Sequence, residues 1–213
     1  IFVADQPGGW DFAIPGISRC NGMPVTICDT SHSLYRGNVY VNWSDQRNGT
    51  NNTDIWISKS TDQGQTWSTP LRVNNDLTTT HQFFTWATID QTNGNIYVVF
   101  YDRRHYADKR TDVYLAISCN GGESFENIKI SQTPFTPEEY VFFGDYTNIS
   151  AHNNMVRPIW ARLDNADLSL WTALIQINSS GVPDRTENLF VVEDTYPNPV
   201  DDLVHFPFKL RRP

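Results

Sequence analysis

Three apolar stretches recur in this chain at a nearly constant step: VYVNWSDQR at 39–47, IYVVFYDRR at 96–104 and VRPIWARLD at 156–164. Their first residues, Val39, Ile96 and Val156, lie 57 and then 60 positions apart. A step of that size marks one supersecondary unit used repeatedly, each copy burying its apolar face only when the next stacks on it. Each stretch is β-branched and aromatic with a polar end, the pattern of a buried strand. A strand-like segment precedes each one (23–30, 85–90, 146–151) and another follows (53–60, 111–118, 166–175). Segments 71–75 and 127–131 add a fourth strand to the first two copies. The expectation is an all-β chain of four-stranded antiparallel units, in the period range of β-propeller blades and without helical interruptions.

Between the third and fourth strands the copies share a turn, STDQGQTW at 60–67 and SCNGGESF at 118–125, both fitting S-x-[DN]-x-G-x-[ST]-[WF]. Asp62 and Asn120 are placed to accept backbone N–H bonds in a tight hairpin, and Gly64 and Gly122 to take a backbone angle other residues avoid. Trp67 and Phe125 then fold back on the sheet. These aspartate and asparagine side chains read as turn-formers rather than acids for catalysis.

Two such turns in phase resemble the Asp-box, or BNR, repeat of the sialidase superfamily, carried here by Ser60, Asp62, Gly64 and Trp67, then Ser118, Asn120, Gly122 and Phe125. The resemblance covers about 23–177. WSDQRNGTNNTDI, HQFFTW, FYDRR and FFGDY are also similar to sialidase-like proteins secreted by Bacteroidetes. It implies a six-bladed β-propeller of which about three blades are visible, at roughly 23–75, 84–131 and 146–190, with a propeller domain over 1–190. The tail, YPNPVDDLVHFPFKL at 196–210, resembles the start of the C-terminal sorting domain of type IX secretion cargo, so 191–213 reads as a linker and the opening of that β-sandwich. This resemblance implies a secreted or outer-membrane surface-attached protein whose tail meets the secretion machinery. The chain opens on Ile1 and is expected to be the C-terminal part of a longer molecule.

Charge narrows the function. A net charge of −8, with 16 Lys and Arg against 24 Asp and Glu, gives no basic footprint for nucleic acid. No apolar run of about 18 residues is present, so no transmembrane segment is expected. The five histidines show no zinc spacing, and the carboxylate-rich loops lack calcium-loop spacing, so neither metal nor cofactor is expected. Cys20 and Cys28 lie eight apart. Either a short-loop disulfide or two separate thiols fits.

In a four-strand meander, the Asp-box turns occupy one face, and the loops 45–54, 102–112, 162–168, 74–85 and 131–146 the other, with the Pro/Gly-rich approach 6–23. The second face gathers arginines against the overall charge balance, and Arg forks grip carboxylates. The resemblance implies carboxylate-binding arginines, a carboxylic acid and a Tyr–Glu nucleophile. The expected catalytic set is Arg104, Arg110, Glu139 and Tyr146, and the expected substrate-binding set Arg47, Arg103, His81, Gln82 and Asp145. Asp45 with Arg47 and Asp102 with Arg103 read as recurrent pairs, so Asp45, Asp54, Asp102 and Asp112 are better explained as loop braces. Trp10, Phe84, Trp86 and Phe143 are candidate glycan contacts or blade core. One departure from the family stands out: its Phe-Arg-Ile-Pro string appears here as FAIPG at 12–16, with Ala13 in the arginine slot. Two functions follow from the resemblance: an exo-α-sialidase-like glycoside hydrolase on sialylated or other acidic glycans, or a non-catalytic glycan- or protein-binding propeller exported as cargo.

Overall fold

The computed structural model describes residues 1–177, and these are all-β. A short hairpin, β1 (Phe12–Ile14) and β2 (Ile17–Cys20), precedes three antiparallel sheets. The first runs β3 (Val25–Cys28), β4 (Val39–Asp45), β5 (Asp54–Ser60) and β6 (Leu71–Arg72), paired in chain order. The second repeats it with β7 (Gln82–Ile89), β8 (Ile96–Asp102), β9 (Asp112–Ser118) and β10 (Glu126–Lys129). The third contains β11 (Asn148–His152), β12 (Met155–Asp164), β13 (Asp167–Thr172) and β14 (Ile175–Gln176). These are the blades of a β-propeller, with the innermost strand β7 packed against the first blade on one side and against β11 on the other.

The second blade shows why its strands read as unbroken apolar runs. Side chains alternate across a strand, and both faces of this blade are covered. Ile96, Val98 and Phe100 enter a core shared with Tyr40, Ile55 and Ile57 of the first blade. Tyr97, Val99 and Tyr101 enter a second core with Ile149, Val156 and Trp160 of the third. Each fully buried large side chain contributes about 1.5–3 kcal/mol relative to exposure. Every residue of β8 and β9 is buried, whereas in β13 none is.

The third copy departs from the other two. Segment 166–175, expected as one strand, is split: β13 pairs with 159–164 of β12, and β14 returns to pair with Met155 and Val156. The break falls at Ala173, which is fully buried. The rest of the expected third blade, 178–190, and the tail 191–213 lie outside the described residues.

Two further stretches are more ordered than their composition implied. Strand β7 starts at Gln82 rather than Thr85, through a bulge between Phe83 and Trp86. The approach 6–23 carries the β1–β2 hairpin, whose Phe12, Ile14, Ile17 and Cys20 are buried beside Phe83, Phe135 and Phe143. All three cysteines are free thiols, Cys20 inside that core and Cys28 and Cys119 exposed. Burial pushes the Cys20 thiol well up from its ordinary value.

The two shared turns are closed by the side chains that define them. Asp62 Oδ1 accepts from the backbone of Gln65 (3.0 Å) and Thr66 (2.9 Å), and Ser60 Oγ accepts from Gly64 N (2.8 Å). Gly64 sits at φ +87°. Hydrogen bonds from the Thr66 hydroxyl and backbone hold the Asp62 carboxyl down at about 2. In the second turn Ser118 Oγ accepts from Gly122 N (3.0 Å) and Asn120 Oδ1 from Ser124 N (3.1 Å). Phe125 packs against the core between the first two blades.

Candidate functional site

Registers assign the faces. Asp45 pairs with Asp54, Asp102 with Asp112 and Asp164 with Asp167 at one end of the sheets, while Ser60 and Ser118 stand at the other. The loops carrying the arginines therefore lie opposite the two polar turns. On the arginine side the innermost strands β3, β7 and β11 begin, and a shallow depression forms at their junction. Its polar wall comes from Asn21, Ser44, Thr85, Asp145 and Tyr146, with the half-buried Trp86 beside them. Met23, Val25 and Phe84 supply the apolar lining. All three blades thus contribute to one site through residues in the first half of their inner strands or just before them, with Ser44 from the end of β4.

Backbone strain concentrates here. Phe84 has φ +49° and Asp145 φ +70°, angles costly for side-chain-bearing residues, and Gly144 between them in space has φ +94°. Phe84 is buried against Phe83, Tyr101 and Phe143. A Cβ on Gly144 would stand 2.7 Å from Phe84 Cδ2 and nearer still to Cε2, so glycine is required both by angle and by space. The Phe84 carbonyl accepts from Thr147 Oγ1 at 2.9 Å, tying β7 to the start of β11. This lock sets the Asp145 carboxylate, which accepts from Asn21 Nδ2 at 3.0 Å and forms an ion pair with Arg19. Arg19 is half exposed and stands over the exposed Phe142 ring, 5.8 Å from its centroid. Arg19 and Asn21 escaped the sequence reading because residues 6–23 looked like a connection; the alternation FAI–ISRC was the available signal for a hairpin.

The arginines fall into two groups. Arg47 caps Asp45 through its backbone N–H (3.1 Å) and its guanidinium (Nη2, 2.6 Å), and stacks on Trp56 and Trp43. Arg104 does the same to Asp102 (2.7 and 2.6 Å) and lies over Tyr114, 4.2 Å from its centroid. Arg162 closes on Asp164 (2.9 Å) over Trp171 and Phe135. Arg104, 57 positions after Arg47, is therefore the recurrent partner, and the pairing of Asp102 with Arg103 is corrected. Burial raises the Asp102 carboxyl above its ordinary value, and Arg104 offsets part of that rise.

Arg103 is the odd one. It is buried, stacks on Phe83, and donates to Thr111 Oγ1 (3.0 Å) and the Pro15 carbonyl (2.8 Å), while Nη2 has no partner among the described residues. Burial lowers its guanidinium to about 10. Its counterpart in the first blade, Gln46, makes the parallel contacts, to Thr53 Oγ1 (3.1 Å) and the Ala13 carbonyl (3.3 Å). Two blades thus hold the β1–β2 hairpin through the same loop position.

The remaining expected residues are dispersed. His81 is buried against Thr53 Oγ1 (3.0 Å), and burial with the Arg103 charge lowers its imidazole to about 4. Gln82 is fully buried between Asn74 and Asp102. Asn74 also donates to Asp54 and Asp76, both at 2.7 Å, in a bracing network between the first two blades. Arg110 is exposed, paired with Asp108 and stacked on Tyr106. Glu139 is exposed, accepts from Gly16 N at 3.2 Å and pairs with Lys109. Of the nine expected residues, the depression gathers Asp145 and Tyr146. Trp10 is exposed, and Phe84 and Phe143 are core. Among the described residues no group of three His, Cys, Asp or Glu is placed to hold a metal, and no helix is long and apolar enough to cross a membrane.

No family model matches the chain, and no curated protein matches it. Among solved structures it is similar to a Hadza microbial sialidase, Hz136, with a TM-score of 0.53 at 14% identity, covering 82% of this chain and 37% of that one. A protein of unknown function from Dyadobacter fermentans matches at TM-score 0.47 and 14% identity, over 78% of this chain and 54% of that one. Zg3597, a family 117 glycoside hydrolase of Zobellia galactanivorans, matches at 0.43 and 10%, over 80% and 56%. This chain spans little more than a third of the sialidase, and the likeness is one of fold.

Proposed function

We propose that this chain is part of a sialidase-like β-propeller that engages glycans at the depression where its inner strands begin. The observation that carries the reading is the convergence there of an exposed tyrosine, a half-buried indole, a carboxylate and side-chain amide and hydroxyl groups on strained backbone. Aromatic faces with a few fixed polar groups are what a sugar ring requires of its site. The two Asp-box-like turns support placement in the sialidase superfamily, and FAIPG, with Ala13 in the arginine slot, marks the departure from it.

Hydrolysis is the second reading, favoured by Tyr146, 56% exposed beside Asp145. In that reading the whole molecule is an exo-acting hydrolase on sialylated or other acidic glycans, and the carboxylate-gripping arginines come from outside the described residues. Against it stands the closure of Arg47, Arg104 and Arg162 on their own aspartates. Fluorogenic sialoside turnover separates the two. Turnover abolished by Tyr146→Phe establishes a hydrolase; no turnover with retained glycan-array binding establishes a binding propeller; neither activity refutes both. Export by the type IX route rests on the tail alone, and a chain truncated after Glu193 that still reaches the cell surface would remove it.

A further inference from the structure

We infer that the depression recognises an uncharged sugar unit, with the Asp145 carboxylate accepting from its hydroxyl groups, and that it selects against carboxylated sugars. The inference rests on the reading of the depression as a glycan site and fixes the class of sugar that site takes.

The charge inventory carries it. Among the described residues, Asp145 is the one charged side chain lining the depression. No guanidinium among the described residues lines it, and the arginines of this face are committed elsewhere. Arg19, at the rim, is paired with Asp145 itself. Arg47 and Arg104 are closed on Asp45 and Asp102. Arg103 is buried, with Nη1 on the Pro15 carbonyl. A sugar carboxylate entering here would meet the Asp145 carboxylate, offset only by its pair with Arg19, with no uncommitted fork among the described residues to grip it.

Hydroxyl donors find the opposite. Each oxygen of a carboxylate accepts at about two sites. Asn21 takes one on Oδ1 and Arg19 one on Oδ2, leaving one on each for a pair of neighbouring hydroxyls. Bonds from hydroxyls to an ionised carboxylate are short and strong. Ser44 and Thr85 supply further hydroxyls, and Trp86 and Tyr146 the ring faces. The Phe84–Gly144 lock holds Asp145 in place before any ligand arrives, so little ordering is lost on binding.

The test uses the 213-residue chain, a glycan array, and calorimetric titration with methyl glycosides of neutral hexoses and of N-acetylneuraminic acid. Neutral glycosides are expected to bind, and Asp145→Asn to weaken them at least about tenfold. The sialoside is expected to bind more weakly than the neutral probes, and to gain when Asp145 is neutralised. Should Asp145→Asn lower the melting temperature, Tyr146→Ala, which removes an exposed ring, is the second variant and is expected to weaken neutral probes alike. If only carboxylated probes bind, and Arg19→Ala abolishes them, the inference is overturned while the glycan reading stands. If no sugar binds, the glycan reading falls first.

Discussion

Gly144 offers the sharpest test of how the depression is built. At φ +94° an L-residue is strained by about 1–2 kcal/mol. Its Cβ would also enter the space of the Phe84 ring, which cannot swing away because Phe83, Tyr101 and Phe143 surround it. Forcing a buried ring from its place adds about 1–3 kcal/mol. Gly144→Ala should therefore destabilise by about 2–5 kcal/mol. Phe84→Ala alone should cost about 3–5 kcal/mol by leaving a cavity. The double variant separates the two causes: without the ring, alanine at 144 retains only the backbone strain, so the pair should couple by about 1–3 kcal/mol. Urea unfolding followed by tryptophan fluorescence gives all four free energies, provided the transitions share one slope. Additivity within about 0.5 kcal/mol would refute the idea that ring and glycine exclude each other, leaving backbone angle as the whole reason for Gly144.

Other outcomes follow from the same contacts. Arg104→Ala strands the fully buried Asp102 carboxylate and is expected to cost about 3–5 kcal/mol in urea unfolding; an unchanged midpoint would return Arg104 to the list of free ligand-binding residues. His81 is held near 4 in the folded chain against about 6.5 unfolded. Between those values only the unfolded state takes the proton, so stability present above pH 6.5 should fall by up to about 3 kcal/mol toward pH 4. That loss should vanish in His81→Gln when midpoints at pH 7, 5.5 and 4.5 are compared. Asp62, held down to about 2, contributes stability that is present above its ordinary value and lost as pH falls through 2. Asp62→Asn, which copies Asn120 of the second turn, should remove that acid sensitivity, and melting curves at pH 4, 3 and 2 check it.

What the sequence disclosed follows from where each signal originates. Strand periodicity and the two polar turns are local properties, so the blades and the geometry of Asp62 and Asn120 were legible from residue types alone. The partner of Asp102 was not: Arg103 and Arg104 are adjacent, and only the direction of each side chain shows that 104 repeats 47 while 103 repeats Gln46. The depression was half legible. Asp145 and Tyr146 stood out as polar residues before a strand, whereas Arg19 and Asn21 reach them across more than 120 positions through a hairpin of short strands. The split of the third copy's outer strand turns on the burial of Ala173, a small residue with no periodic signature.

Gln46 and Arg103 grip the Ala13 and Pro15 carbonyls of the same hairpin, one from each of two neighbouring blades. Separating those blades requires peeling the hairpin from both at once, whereas among the described residues no hydrogen bond joins the hairpin to β13 or β14. The first two blades should consequently exchange their amide hydrogens as a single cooperative block, with the outer strands β13 and β14 of the third opening earlier.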